Sequence, residues 1–229
     1  MARSRPNAVG TSMSSRASRW VPILVVVTLV AATIVAVPSV REPVLRAAGW
    51  ALVTNEPITP ADIIVVSSFA GGAGALEAAD LVQSGIATRV AVFSGPPSGE
   101  EHEFIRRGLT YENGAARQTR QLKSLGVTDV VQIPTTGAGT NDEVKALLPW
   151  SDQHQFRSIV LVTVRDHSRR WRRVLDRAMK GHWTRVTVQP ARSSWFDPDR
   201  WWKTRGGVWT EIIQLQKLAL DAALHPLSF

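Results

Sequence analysis

The chain has 229 residues, 44% of them hydrophobic, no cysteine and a formal net charge of +8. These numbers exclude a disulfide framework, thiolate chemistry and a wholly disordered polymer. They leave about one ordinary domain once an N-terminal tail and anchor of roughly 55 residues are set aside.

The charge is uneven. Residues 1–40 carry +4, residues 41–164 hold ten Lys/Arg against thirteen Asp/Glu, residues 165–205 hold twelve against four, and the remainder carries −1. A basic patch of that density attracts anions, and whether these are nucleic acids or lipid and wall phosphates depends on the compartment.

Residues 1–19 contain Arg3, Arg5, Arg16 and Arg19, no acid, and much Ser, Ala and Gly, so they read as a disordered basic tail. Residues 20–40 contain no charged side chain and have the length of a helix that spans a hydrocarbon core of about 30 Å, which predicts a transmembrane helix. A cleaved signal peptide has a shorter apolar region and a small-x-small site, which the tripeptide Ile34, Val35, Ala36 matches poorly. Four arginines precede the span, while Arg41 and Arg46 follow it beside Glu42. The positive-inside rule therefore keeps the N-terminus in the cytoplasm and sends the rest outside, where nucleic acid is not an expected partner.

Residues 41–60 read as a juxtamembrane helix and linker, with Val44, Leu45, Ala48 and Leu52 in a loosely helical pattern and Trp50 suited to the head-group zone. Pro57 and Pro60 then lead into a folded domain over residues 61–229. Short apolar runs at 63–68, 89–95, 129–133 and 158–164, with an alternating run at 183–190, predict five strands. Helical spacing predicts helices at 75–85, 111–125, 141–150, 166–180 and 208–224, and residues 96–104 read as a polar loop. The alternation predicts an α/β, Rossmann-like, doubly wound and mostly parallel five-stranded sheet.

In such a sheet the ligand crevice lies beyond the C-terminal strand ends, near a switch in strand order. The residues placed there are Ser67, Ser68, Gly71 and Gly72 after the first strand, and Ser94 and Gly95 after the second. Thr136, Gly137, Thr140 and Glu143 follow the third, and Arg165, Asp166 and His167 the fourth. Small residues and hydroxyls at helix starts suit an anion held by backbone N–H groups.

After the fourth strand, Trp171, Val174, Leu175, Ala178 and Met179 form an apolar stripe, with Arg169, Arg172, Arg173, Asp176 and Lys180 mainly on the opposite, solvated face. His167 and Arg170 lie one turn ahead of Trp171 and Val174 and point along the stripe to the crevice. Asp166 reads as the N-cap of that helix, and Thr140 with Glu143 as a capping box. The AGGAG turn lacks the spacing of a dinucleotide fingerprint, and no P-loop, HExxH or G-x-S-x-G is present, so the sequence assigns no cofactor and no metal. His102, between Glu101 and Glu103, reads as part of an exposed loop. Residues 193–218 carry Trp195, Trp201, Trp202 and Trp209 among cations. These rings fit a core, a membrane interface or the wall of a pocket, with Arg205 and Glu211 as a polar pair beside them.

The blocks PADIIVVSS, GTNDE, VTVRDHSRR and WFDPDRWWKTRGGVWTEIIQLQKL, in that order over about residues 48–224, resemble the YdcF/SanA/ElyC-like bacterial envelope proteins, a family classed by a domain of unknown function. The resemblance implies a Rossmann-like domain anchored in the inner (plasma) membrane, acting in peptidoglycan or lipid-carrier metabolism. Position by position it implies roles for Ser94 and Gly95, Thr140 and Glu143, His167 and Arg170, and Trp202, Arg205 and Glu211. The chain departs from the family pattern in two places. Residues 73–76 supply no arginine after the glycine turn, and Asp166 replaces an aromatic.

The expected function is binding, with hydrolysis or transfer, of a phosphorylated lipid-linked or wall intermediate, His167 and Glu143 acting as acid or base and Ser68, Gly71, Gly72, Ser94, Gly95, Thr140, Arg170, Trp202, Arg205 and Glu211 binding substrate. The expected partners are the lipid bilayer, that anionic envelope molecule or lipid carrier, and proteins of envelope synthesis. A non-catalytic envelope scaffold remains open, as does a nucleotide or S-adenosylmethionine binder, which would require a cytoplasmic domain.

Overall fold

The computed structural model describes residues 22, 23, 25, 26, 28, 36–137 and 139–225. The expected tail at 1–19 and most of the expected span at 20–40 lie outside them. Among the described residues no helix is long and apolar enough to cross a membrane.

Helix α1 (Pro38–Ala51) precedes a five-stranded sheet of β1 (Ile63–Val66), β2 (Arg89–Ser94), β3 (Asp129–Pro134), β4 (Ser158–Thr163) and β5 (Arg185–Pro190). All four pairings are parallel and the order is β3-β2-β1-β4-β5. This is an α/β fold of Rossmann-like type. The chain winds outward from β1 to β3 and then returns to β1's other side, so the switch in strand order falls between β1 and β4, where ligands settle in doubly wound sheets.

The apolar runs of β1, β2 and β4 are buried on both faces, as a two-sided sheet requires. On one face Ile64, Val66, Val90, Val92, Val160 and Val162 meet α2 (Gly71–Gln83) and α4 (Gly114–Ser124). On the other, Ile63, Val65, Phe93, Ile159 and Leu161 meet α5 (Thr140–Gln153) and α6 (Arg165–Ala178). Gly74 lets α2 approach the sheet, because a Cβ there would stand 2.3 Å from Ala70 Cβ and 2.8 Å from Val66 Cγ1. Gly74→Ala should therefore destabilise the chain by about 1–3 kcal/mol through overpacking. Gly114→Ala, at a helical position with open space around it, should not, and urea unfolding of the two variants checks the contrast.

Several local expectations need correction. Residues 96–104 are not all loop, because α3 (Gly99–Arg106) forms there behind a capping box between Ser98 and Glu101. The capping box expected at Thr140 and Glu143 is absent, since Gly139 is the N-cap of α5. Asp166 is not an N-cap either: Val164 holds that position, and Asp166 lies buried in the first turn of α6. Helix α4 starts at Gly114 behind Asn113, whose side chain accepts from Ala116 N at 2.8 Å. The last helix, α7 (Arg205–Leu224), starts three residues earlier than its apolar pattern, capped by Thr204.

The arginine face of α6 is also not simply solvated. Arg169 donates to the carbonyls of Ala51 and Val53, and Arg172 to that of Val186 at 2.7 Å. Arg173 is buried and, with Arg177, clasps Asp221 of α7 at 2.8 and 2.6 Å. Burial alone would raise the Asp221 pKa, but these two guanidiniums outweigh it and hold the carboxyl below the usual range. Cations that look like a wet stripe in sequence thus tie α6 to the linker, to β5 and to α7.

Candidate functional site

At the C-terminal end of β1 the chain turns through a short 3₁₀ segment, Ser68–Ala70. Ser67 is buried and fixes the turn, its hydroxyl donating to Thr163 Oγ1 at the end of β4 (3.0 Å) while its carbonyl accepts from Gln118 (3.1 Å). Ser68, the next residue, is exposed, and its hydroxyl donates to Glu143 Oε1, which also accepts the Ser68 backbone N–H at 3.3 Å. Glu143 comes from the first turn of α5, so the switch point brings together two elements 75 positions apart.

Glu143 is almost wholly buried and its Oε2 has no partner among the described residues. Burial pushes its pKa up to about 7, the Ser68 hydrogen bonds opposing only part of that shift and Asp142 adding to it. An accessible hydroxyl donating to a carboxylate half-ionised at neutral pH is the arrangement of a nucleophile and its base.

A second polar group lies in the seam between α6 and α7. Phe69 stacks at 5.3 Å, tilted, on His167, which connects it to the Ser68 turn. Gln214 Nε2 donates to His167 Nε2 at 2.7 Å, leaving the imidazole proton on Nδ1, a buried atom without a partner among the described residues. Burial, reinforced by Lys217 and Arg170, lowers the His167 pKa to about 4. The 3.6 Å approach of Asp166 Oδ2 is therefore not a salt bridge at neutral pH. His167 is a neutral ring whose remaining capacity is a donated N–H. Glu211 is buried with neither carboxyl oxygen partnered among the described residues, and burial together with Asp166 pushes its pKa up to about 7. Asp166 is raised as well, by burial.

Beside these groups, α5, α6 and α7 enclose a groove of about 520 Å³. Lys145, Arg170, Arg177 and Lys217 line it against one carboxylate, Asp221, and its walls include Val144, Val174, Leu220 and Leu224. Arg170 and Lys217, close enough to depress the His167 pKa, join the groove to the buried group.

The structure thus brings Ser68 to Glu143, and His167 to Gln214 and Asp166. Thr140 is buried at the start of α5. Gly71 takes φ +49° at the junction of the 3₁₀ turn and α2, where a side chain would be strained, while Gly72 is exposed at the first turn of α2. Ser94 ends β2, its carbonyl accepting from Thr135 N, and a Cβ on Gly95 would stand 3.2 Å from Thr135 Oγ1. Trp202 meets Trp201 edge-on at 5.9 Å, and Arg205 opens α7. Among the described residues neither Trp202 nor Arg205 hydrogen bonds to the His167 group, and Arg205 and Glu211 are not paired with each other. His102 lies on α3, bound to Ser98 O at 3.0 Å. No group of three or more His, Asp or Glu among the described residues is arranged to hold a metal.

Sequence reasoning placed Asp166 at the crevice but read it as an N-cap, and it missed Gln214 and Lys217. The spacing of Glu211, Gln214 and Lys217 at i, i+3 and i+6 marks one side of a helix and was the available signal.

No family model matches the chain, and no curated protein matches it. Among solved structures, it is similar to guanylylpyridinol- and ATP-bound HcgE from Methanothermobacter marburgensis, at 14% identity and TM-score 0.32, over 59% of this chain and 62% of that one. It is also similar to an aureusimine biosynthetic cluster reductase domain, at 12% identity and TM-score 0.31, over 63% of this chain and 38% of that one. The chain covers less than two thirds of the length of either protein. The fold assignment above rests on the strand order and ladders of this chain itself.

Proposed function

We propose that this protein is a membrane-anchored envelope protein whose α/β domain binds a phosphorylated, lipid-linked intermediate outside the cytoplasm and hydrolyses or transfers it at the Ser68–Glu143 pair. The observation that carries this reading is the groove, where four cations face one carboxylate between apolar walls. An anionic head attached to an apolar chain satisfies both halves of that lining. Arg170 and Lys217 take the phosphate charge, because His167 is neutral and cannot. His167 donates a hydrogen bond through Nδ1–H to a phosphoryl oxygen, and Glu143 accepts the proton of Ser68 Oγ as that Ser68 oxygen attacks phosphorus and the P–O bond to the departing group breaks. Protonated Glu143 returns the proton to the departing oxygen, and water then hydrolyses the serine phosphoester. The resemblance to envelope proteins and the uncharged segment at 20–40 support the location.

The test is equilibrium binding of a polyprenyl phosphate, and of the same polyprenol without phosphate, to the full chain in detergent. The phosphate form should bind at least about tenfold tighter, the worth of one charge-assisted contact, and Arg170→Ala combined with Lys217→Ala should remove the preference. Equal binding of alcohol and phosphate, or none of either, overturns the reading. Digestion of the C-terminal domain by protease added to spheroplasts is the expected topology, and full protection would contradict it.

A further inference from the structure

Helix α7 has its polarity inside out. Its buried positions are Gly207, Glu211 and Gln214, whereas Trp209 is 67%, Ile212 46%, Leu220 60% and Leu224 65% exposed. At 100° per residue these four outer residues, with exposed Gln216 among them, fall within about one third of the helix circumference, a stripe on the order of 22 Å long from Trp209 to Leu224. Trp195, 62% exposed, extends the stripe, because its ring stands 3.6 Å from where a Cβ on Gly206 would be. An apolar face of this length is uncommon on a free surface and marks a contact.

We infer that the outer face of α7, with Trp195, lies in the head-group and upper acyl region of an anionic bilayer, so that the groove between α5, α6 and α7 opens directly onto the leaflet. Three observations choose lipid over another covering. Arg200, Lys203 and Arg205 are exposed within the nine residues before Trp209, and Arg205 lines a cavity together with Trp209, the pairing of aromatic rings and cations that interfacial helices present to anionic head groups. The loop bearing Trp195 is fastened to the anchor side of the chain. Asp199 accepts from Trp50 Nε1 at 3.0 Å and pairs with Arg46 at 3.1 Å, and Gly49 packs against Pro198 so tightly that a Cβ would stand 2.4 Å from its carbonyl oxygen. Arg46 follows the uncharged segment by only six residues. Finally, Leu220 and Leu224 belong to the stripe and to the groove wall alike, so an acyl or prenyl chain passes from leaflet to groove without crossing water.

The ligand route rests on the function proposed above, whereas the docked face does not. The chain has no cysteine, so single spin labels can be placed cleanly. Ile212→Cys and Leu220→Cys on the stripe, and Lys123→Cys on the exposed side of α4 as reference, are labelled in the full chain and reconstituted into phosphatidylcholine vesicles with and without phosphatidylglycerol. The expected result is that labels at 212 and 220 collide with dissolved oxygen more than with a water-soluble nickel chelate, more so with phosphatidylglycerol, while the label at 123 shows the reverse. Nickel exceeding oxygen at all three positions overturns the inference. Dipolar broadening between labels at 212 or 220 overturns it too, by showing a second copy on the face. Membrane partition of both labels in a chain that binds no polyprenyl phosphate sustains the docked face and removes only the ligand reading.

Discussion

Glu143→Gln should lower turnover of a phosphorylated polyprenyl substrate at pH 7 by about 10²–10⁴-fold while leaving its KM nearly unchanged, the pattern of an interaction made only in the transition state. The reason is geometric. Glu143 is buried and reaches the surface through the Ser68 hydroxyl that donates to it, so Ser68→Ala should fall with it. With a Glu143 pKa of about 7, the wild-type rate should climb as pH rises through neutrality. The residual rate of the Gln variant should lack that limb. Initial rates between pH 5 and 9 separate the cases, and an unchanged profile in Glu143→Gln would remove the carboxyl from the chemistry.

The second large effect is on stability. Glu143 and Glu211 have folded pKa values of about 7 against 4.5 for the free side chain. Between those values the folded chain holds protons that the unfolded chain has released, so each group makes the fold less stable as pH rises. At about 1.4 kcal/mol per pH unit, each acts by roughly 3 kcal/mol over the full window. His167 works in the opposite direction. Its folded pKa of about 4 lies below the free value of 6.5, so its contribution to stability grows from about pH 4 to 6.5. Two acids outweigh one imidazole, and net stability should decline towards pH 8. Glu211→Gln removes one of the acids, and its unfolding free energy relative to wild type should rise by about 2–3 kcal/mol between pH 5 and 8. Parallel urea-unfolding curves for the two chains at both pH values would show that Glu211 does not titrate as its burial requires.

The sheet was legible because four of its strands are short apolar runs and the fifth alternates, with Gly85, Gly126 and Gly181 closing the helices between them, a pattern with few other solutions. The placement of Ser68, Glu143 and His167 at strand ends followed from that topology alone. What remained illegible was where helical side chains face. Thr140 and Glu143 have capping-box spacing, but Glu143 finds the Ser68 hydroxyl and backbone N–H across the switch point, a partner 75 residues away that no local pattern announces. The arginines of α6 look like a solvated stripe until the carbonyls of Ala51, Val53 and Val186 and the Asp221 carboxylate are placed opposite them. Helix α7 defeats periodicity most completely. The assumption that apolar residues turn inward puts Trp209 and Leu220 in the core and Gln214 in water, and the structure reverses both.

The proposed entry route for ligand is the α5–α6–α7 groove beside His167. It is tested most directly with a polyprenyl phosphate carrying a photoreactive diazirine next to the phosphate, crosslinked to the full chain and mapped by peptide mass spectrometry. Adducts should concentrate on groove residues such as Val174, Leu220 and Leu224 and should be competed away by unlabelled polyprenyl phosphate. Adducts gathered instead at the other end of the sheet, in the cavity of about 320 Å³ lined by Arg157, Trp183 and Arg185, or labelling that unlabelled ligand fails to displace, would contradict it.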